Sequence, residues 1–158
     1  MFDFTGKTVI VTGASGTLGT ALSVQFAVAG ANVVVAARTG YDQLAATLPG
    51  PALGVRLDVT GETEWAEAIA RTEDRFGPPD VLVDNAAHLG VGTTESIPLP
   101  EFRRVLETNL TGALLGIRAA APSMRTADFV LFAASDQARF ATGSEILADG
   151  GFMLGAVA

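Results

Sequence analysis

Residues 9–19 read VIVTGASGTLG, and this stretch limits the possible folds more than any other part of the chain. A β-branched apolar run predicts a buried strand, the glycines predict a tight turn, and a helical pattern follows at once. Gly13 permits the turn, Gly16 lets the backbone come close to a ligand, and Gly19 lets the helix pack against the strand. The start of a helix presents unpaired N–H groups and a partial positive charge, which suit a phosphate. A strand, this turn and a helix in that order point to the pyrophosphate of a dinucleotide. The plainer alternative is a strand-to-helix turn with no ligand.

The rest of the chain repeats the alternation. Strands are expected at 7–11, 32–37, 52–57 and 80–84, and helices at 17–29, 41–48 and 61–76. In the first helix Leu18, Leu22, Phe26 and Ala29 share one face, and Gly30 stops it. In the third, Trp65, Ile69 and Phe76 point inward. The run NVVVAA at 32–37 is apolar throughout, as in a parallel sheet covered on both faces. Strand–helix alternation with right-handed crossovers implies an α/β, Rossmann-like, doubly wound parallel sheet. A loop at 85–98 and a helical stretch near 100–125 follow, the latter ended or kinked by Pro122. Residues 129–134 form an apolar run that periodicity cannot assign. Residues 145–148 read as a last strand, which gives about five strands in a truncated sheet. There is no internal repeat, and the 158 residues are expected to form one domain.

Composition excludes several functions. A net charge of −7 with only 10 basic residues argues against a nucleic-acid surface. An anionic ligand must therefore be held by local geometry, not by the overall field. No apolar run reaches the roughly 18 residues of a membrane span, and the start MFDF carries no signal segment, so the expected location is the cytoplasm. The absence of cysteine excludes disulfides and thiolate metal sites, and no metal is expected.

Five segments occur in order: TGASGTLG (12–19), LDVT (57–60), DVLVDNAAH (80–88), ETNLTGALLG (107–116) and SDQARFATGSEILADGG (135–151). Together they resemble the short-chain dehydrogenase/reductase family, enzymes that interconvert alcohols and carbonyls with NAD(P). The resemblance implies a cofactor site made of Gly13, Ser15, Gly16, Thr17, Leu18, Gly19, Arg38, Asp58, Val59, Asn85 and Ala86. Compact members usually carry TGxxxGxG, whereas this chain has the TGxxGxxG spacing of extended and atypical members.

An acidic residue at the end of the second strand would bind the ribose of NAD. Here Ala37 and Arg38 stand instead, which favours NADP over NAD. The alternative for Arg38 is a solvated charge. Asp58 is placed to accept from the adenine amino group, or else it caps the following helix. Ala87 replaces the glycine usual after Asn-Ala. Asn109 matches the helix asparagine whose carbonyl holds a proton-relay water. His88, the only histidine, reads as a surface or local hydrogen-bonding residue before it reads as a catalyst.

The family's proton-transfer pair is Tyr-x-x-x-Lys, oriented with a serine. This chain has one tyrosine, Tyr41, followed four residues later by Ala45, and one lysine, Lys7. The motif is absent. The pattern implies an internal deletion near 125–127 that removes roughly 80–100 residues of the second half. A less favoured alignment makes 128–135 the serine strand, with Ser135 as the serine. The expected function is that of an NADP-binding protein of oxidoreductase ancestry, impaired or inactive in this form. The alternatives are an active NADP-dependent enzyme with rearranged or partner-supplied groups, and a non-catalytic partner of a full-length relative. Loss of central strands leaves an open edge and apolar helix faces, so self-association is expected.

Overall fold

The computed structural model describes residues 2–124. Four strands form one parallel sheet: β1 (Thr8–Thr12), β2 (Asn32–Ala37), β3 (Ala52–Arg56) and β4 (Val81–Val83), in the order β3-β2-β1-β4. β1 lies in register with β2 from Thr8 opposite Asn32 to Thr12 opposite Ala36, and its other side pairs with β4. The crossovers contain α1 (Thr17–Val28), α2 (Tyr41–Thr47) and α3 (Glu62–Phe76), followed after β4 by α4 (Leu99–Leu106) and α5 (Gly112–Ala120). These elements bear out the doubly wound α/β reading. The expected strand at 145–148, the residues around 125–127, and Ser135 lie outside the described residues.

Strand pleating sorts the core into two layers. Val9, Val11, Val33 and Val35 face one way, towards Ala27 and Leu48. Ile10, Val34 and Ala36 face the other, towards Trp65, Ile69 and Leu115. Both faces of β1 and β2 are therefore covered, which explains why these strands are apolar throughout. At the start of the sheet Asp80 ties β1 to β4. Its carboxylate accepts from the Thr8 N–H at 2.8 Å and pairs with Lys7 at 3.1 Å.

Two expectations change in detail. The buried residues of α1 are Gly19, Ser23 and Ala27, while Leu18 is exposed. Small residues take the innermost positions, and Leu22, Val24 and Phe26 pack partly buried beside them against the same core layer. The stretch expected as one helix over 100–125 is interrupted by a π-helical segment, Glu107–Thr111, between α4 and α5. Helical geometry ends at Ala120, and Pro122 falls in the turn beyond it. In α3, Trp65 and Ile69 are buried and Phe76 packs partly buried against them, as the sequence predicts. Among the described residues no helix is long and apolar enough to cross a membrane.

Candidate functional site

The carboxyl ends of all four strands open into one cleft of about 910 Å³. It lies where the chain reverses direction across the sheet, with β2 on one side of β1 and β4 on the other. Open α/β sheets bind ligands at such switch points.

The floor is the glycine turn. Gly13 has φ +60°, and a Cβ there would lie 2.8 Å from the Ala86 Cα. A Cβ on Gly19 would strike the Gly13 carbonyl oxygen and come within 2.7 Å of the Ala14 Cα. A Cβ on Gly16 would lie 3.3 Å from the Gly13 oxygen. Gly16 is also the N-cap of α1 and supplies no side-chain cap, and the first turn contains no acidic residue. The N–H groups of Thr17, Leu18 and Gly19 therefore lack an intrahelical acceptor, and Ser15, Gly16, Thr17 and Leu18 are exposed to the cleft. Uncapped donors at a positive helix end, over a floor kept clear of Cβ atoms, fit an anionic group.

One wall is formed where β2 and β3 end. Arg38 is exposed on it and makes no ion pair among the described residues. Asp58 and Val59 line the same wall. Asp58 Oδ1 accepts from the Thr60 hydroxyl at 2.8 Å and from the Thr60 N–H at 3.1 Å. These bonds hold its carboxyl below the usual carboxylate range, and the nearby Arg38 and Arg56 add to the effect. The Asp58 N–H donates to Glu64 Oε2 at 2.6 Å, and the other Glu64 oxygen pairs with Arg56 at 3.0 Å. The N-cap of α3 is Gly61, with no side-chain cap, so Asp58 does not cap that helix. It shapes the turn ahead of it.

The opposite wall follows β4. The Asn85 amide donates to the Thr12 carbonyl at 2.8 Å and lies 3.3 Å from that of Gly13. Thr12, fully buried, accepts the N–H groups of both Asn85 and Ala86 on its hydroxyl at 3.0 Å and lies 3.1 Å from Asp84 Oδ1. The wall is thus tied to the glycine turn through Thr12, which the sequence reading missed. Its signal was a hydroxyl at the last position of the strand TVIVT, directly ahead of the glycine turn. Beyond Ala86, His88 lines the cleft, and its Nε2 lies 2.7 Å from Glu101 Oε1 on α4.

Asn109 does not line the cleft. Its Oδ1 accepts the His88 N–H at 2.8 Å, and its Nδ2 donates to the His88 carbonyl at 3.1 Å. The structure thus places Asn109 as a brace on the wall, and brings the other eleven expected site residues together around one space. Arg103, Arg104, Glu107 and Thr108 complete the cleft from the α4 side. They were not expected there, since charges on an amphipathic helix read as solvated. Tyr41 and Lys7 stand apart from the cleft, on α2 and just before β1.

A sheet of this order with a glycine-turn cleft at its switch point defines the dinucleotide-binding, Rossmann-like class. The family model described as short chain dehydrogenase matches residues 7–141, and the chain belongs to that family, the short-chain dehydrogenases/reductases. It is similar to trans-4-hydroxycyclohexanecarboxylate dehydrogenase of Sinomonas cyclohexanicum, with 36% identity over 132 residues, 77% of this chain and 51% of that protein. D-beta-hydroxybutyrate dehydrogenase of Rhizobium meliloti is 34% identical over 126 residues, 75% of this chain and 49% of its own. The crystal structure of a short-chain type dehydrogenase/reductase from Mycobacterium marinum superposes with a TM-score of 0.71 at 35% identity, covering 82% of this chain and 54% of the other. The chain spans about half the length of the curated relatives it matches.

Proposed function

We propose that this chain is a single dinucleotide-binding domain that holds NADP(H) in the cleft and turns it over poorly or not at all. One observation carries the reading: a helix start without a side-chain cap and a guanidinium with no ion pair among the described residues face the same cleft. The N–H groups of Thr17, Leu18 and Gly19 receive the pyrophosphate, and Arg38 receives the 2′-phosphate that separates NADP from NAD. Asp58 and Val59 border the adenine, and Asn85 and Ala86 keep the far wall close to the cofactor.

When bound, the nicotinamide supplies or accepts a hydride. The proton that must accompany that hydride has no Tyr-x-x-x-Lys donor in the sequence. Lys7 is engaged by Asp80, and Tyr41 packs against the sheet on the α2 side. Alcohol–carbonyl interconversion is accordingly the ancestral reaction, and retention of the cofactor is what these residues still support. We place the protein in the cytoplasm, where NADP(H) is available.

Titration with NADPH and with NADH, followed by nicotinamide fluorescence, tests the binding. Trans-4-hydroxycyclohexanecarboxylate and D-3-hydroxybutyrate, each with NADP⁺, serve as turnover probes because two relatives are named for them. Saturable NADPH binding with little turnover is the expected result. Failure of NADPH to bind overturns the reading, and brisk turnover overturns the claim of impairment.

A further inference from the structure

The two sides of the cleft differ in what they leave free for a ligand. Along the β4 wall the polar groups are already engaged. Asn85 donates its backbone N–H to the Thr12 hydroxyl and its side-chain amide to the Thr12 and Gly13 carbonyls, and Ala86 donates its N–H to the same hydroxyl. His88 gives its N–H and its carbonyl to Asn109, and its ring lies 2.7 Å from Glu101 Oε1. The second Glu101 oxygen accepts from Arg104 at 3.2 Å. Ala86, Ala87 and Leu89 bring apolar side chains to the same wall.

On the β2–β3 side the groups are open. Arg38 makes no hydrogen bond or ion pair among the described residues. Asp58 turns Oδ1 to Thr60 and keeps Oδ2 without a hydrogen-bond partner among them. The helical stretch after the loop adds to this side. A Cβ on Gly112 would lie 2.9 Å from Val59 Cγ2, so that face of the stretch sits against Val59. Thr108, four residues earlier on the same face, lines the cleft with a hydroxyl that has no hydrogen bond among the described residues.

The start of α1 lies between the two sides. With the pyrophosphate there and the 2′-phosphate at Arg38, the nicotinamide half extends along the β4 wall. A carboxamide that enters such a wall gives up water and gains no partner for it, which costs free energy. Resting on the NADP(H) reading, we propose that the cleft recognises its ligand through the 2′-phospho-ADP half alone. The ligand class is then any nucleotide built on 2′-phospho-ADP, with or without a nicotinamide. The redox state of the ring goes unread. Arg103 and Glu107 border the cleft from the α4 side, four residues apart and opposite in charge, so together they favour neither the cationic nor the neutral ring.

Calorimetric titration of the whole chain compares four probes: NADPH, NADP⁺, 2′-phospho-ADP-ribose and nicotinamide mononucleotide. The third keeps both charges of the pyrophosphate and lacks only the nicotinamide. Its affinity should match those of NADPH and NADP⁺ within about fivefold, the worth of one net hydrogen bond. Nicotinamide mononucleotide should show no binding at millimolar concentration. Excess 2′-phospho-ADP-ribose should also displace NADPH completely.

A larger gap in favour of NADPH or NADP⁺, or saturable binding of the mononucleotide, overturns the inference and leaves the NADP(H) reading standing. Should neither NADPH nor 2′-phospho-ADP-ribose bind, the NADP(H) reading itself falls, and the inference falls with it.

Discussion

Gly13 answers to three constraints at once: its own φ of +60°, the Ala86 backbone 2.8 Å from where a Cβ would be, and the Asn85 amide 3.2 Å from that same point. Gly13→Ala should lower stability by about 1–3 kcal/mol in urea or thermal unfolding and abolish NADPH binding, because strain and collision fall on the cleft floor. Arg38 carries no such structural load. Arg38→Ala should leave the melting temperature unchanged and weaken NADPH by roughly 10- to 100-fold, the worth of charged hydrogen bonds, while NADH affinity barely moves. Asp58 gives a pH signature. Its folded-state pKa is lowered by Thr60, so the stabilisation is fully present above the ordinary value of 3.8 and is lost as pH falls through the lower folded value. The stability difference between wild type and Asp58→Asn should therefore hold constant from about pH 5 to 8 and shrink in acid unfolding measurements below that.

Between α3 and α5 the packing depends on glycine. A Cβ at Gly116 would lie 2.7 Å from Trp65 Cζ2, and one at Gly112 would lie 2.9 Å from Val59 Cγ2. Trp65 has little freedom to withdraw, since its indole N–H donates to the Val59 carbonyl at 2.9 Å and the residue is buried. Gly116→Ala should cost about 1–3 kcal/mol by overpacking, read by thermal unfolding, with smaller effect on the cleft than Gly13→Ala. The strands were legible because β-branched runs buried on both faces leave no polar alternation to misread. The inward face of α1 was not, since Gly19, Ser23 and Ala27 are small and carry little hydrophobic signal beside Leu18, Leu22 and Phe26. The π segment at Glu107–Thr111 was hidden for a similar reason. Phe102, Leu106, Leu110 and Leu114 recur every four residues through it and read as one unbroken helix. In the site, the glycines and Asn85 were legible by their special chemistry. Thr12 was not, because its partners Asp84, Asn85 and Ala86 lie 72 to 74 residues away in sequence.

Across the whole molecule, that four-residue repeat leaves a ridge exposed. Phe102 is 44% accessible, Leu106 42%, Leu110 67% and Leu114 43%, on one helical stretch flanking a sheet whose edge among the described residues is β4. Contiguous apolar surface of this kind marks association. We expect the chain to self-associate, with light scattering after size exclusion giving a mass above the monomer. Paired Leu110→Lys and Leu114→Glu substitutions should shift it towards the monomer without altering the NADPH titration, and a wild-type monomer at micromolar concentration would refute the expectation. The sheet order β3-β2-β1-β4 also has a consequence in time. As the chain leaves the ribosome, β2 and then β3 can dock outward from β1 on one flank, each as soon as it is made. The other flank must wait for Val81. At roughly 5–20 residues per second, synthesis of the stretch from Ala37 to Val81 takes several seconds. For that interval the most buried strand of the finished protein presents an open edge to the cell, and its safety during manufacture rests on whatever shields nascent chains.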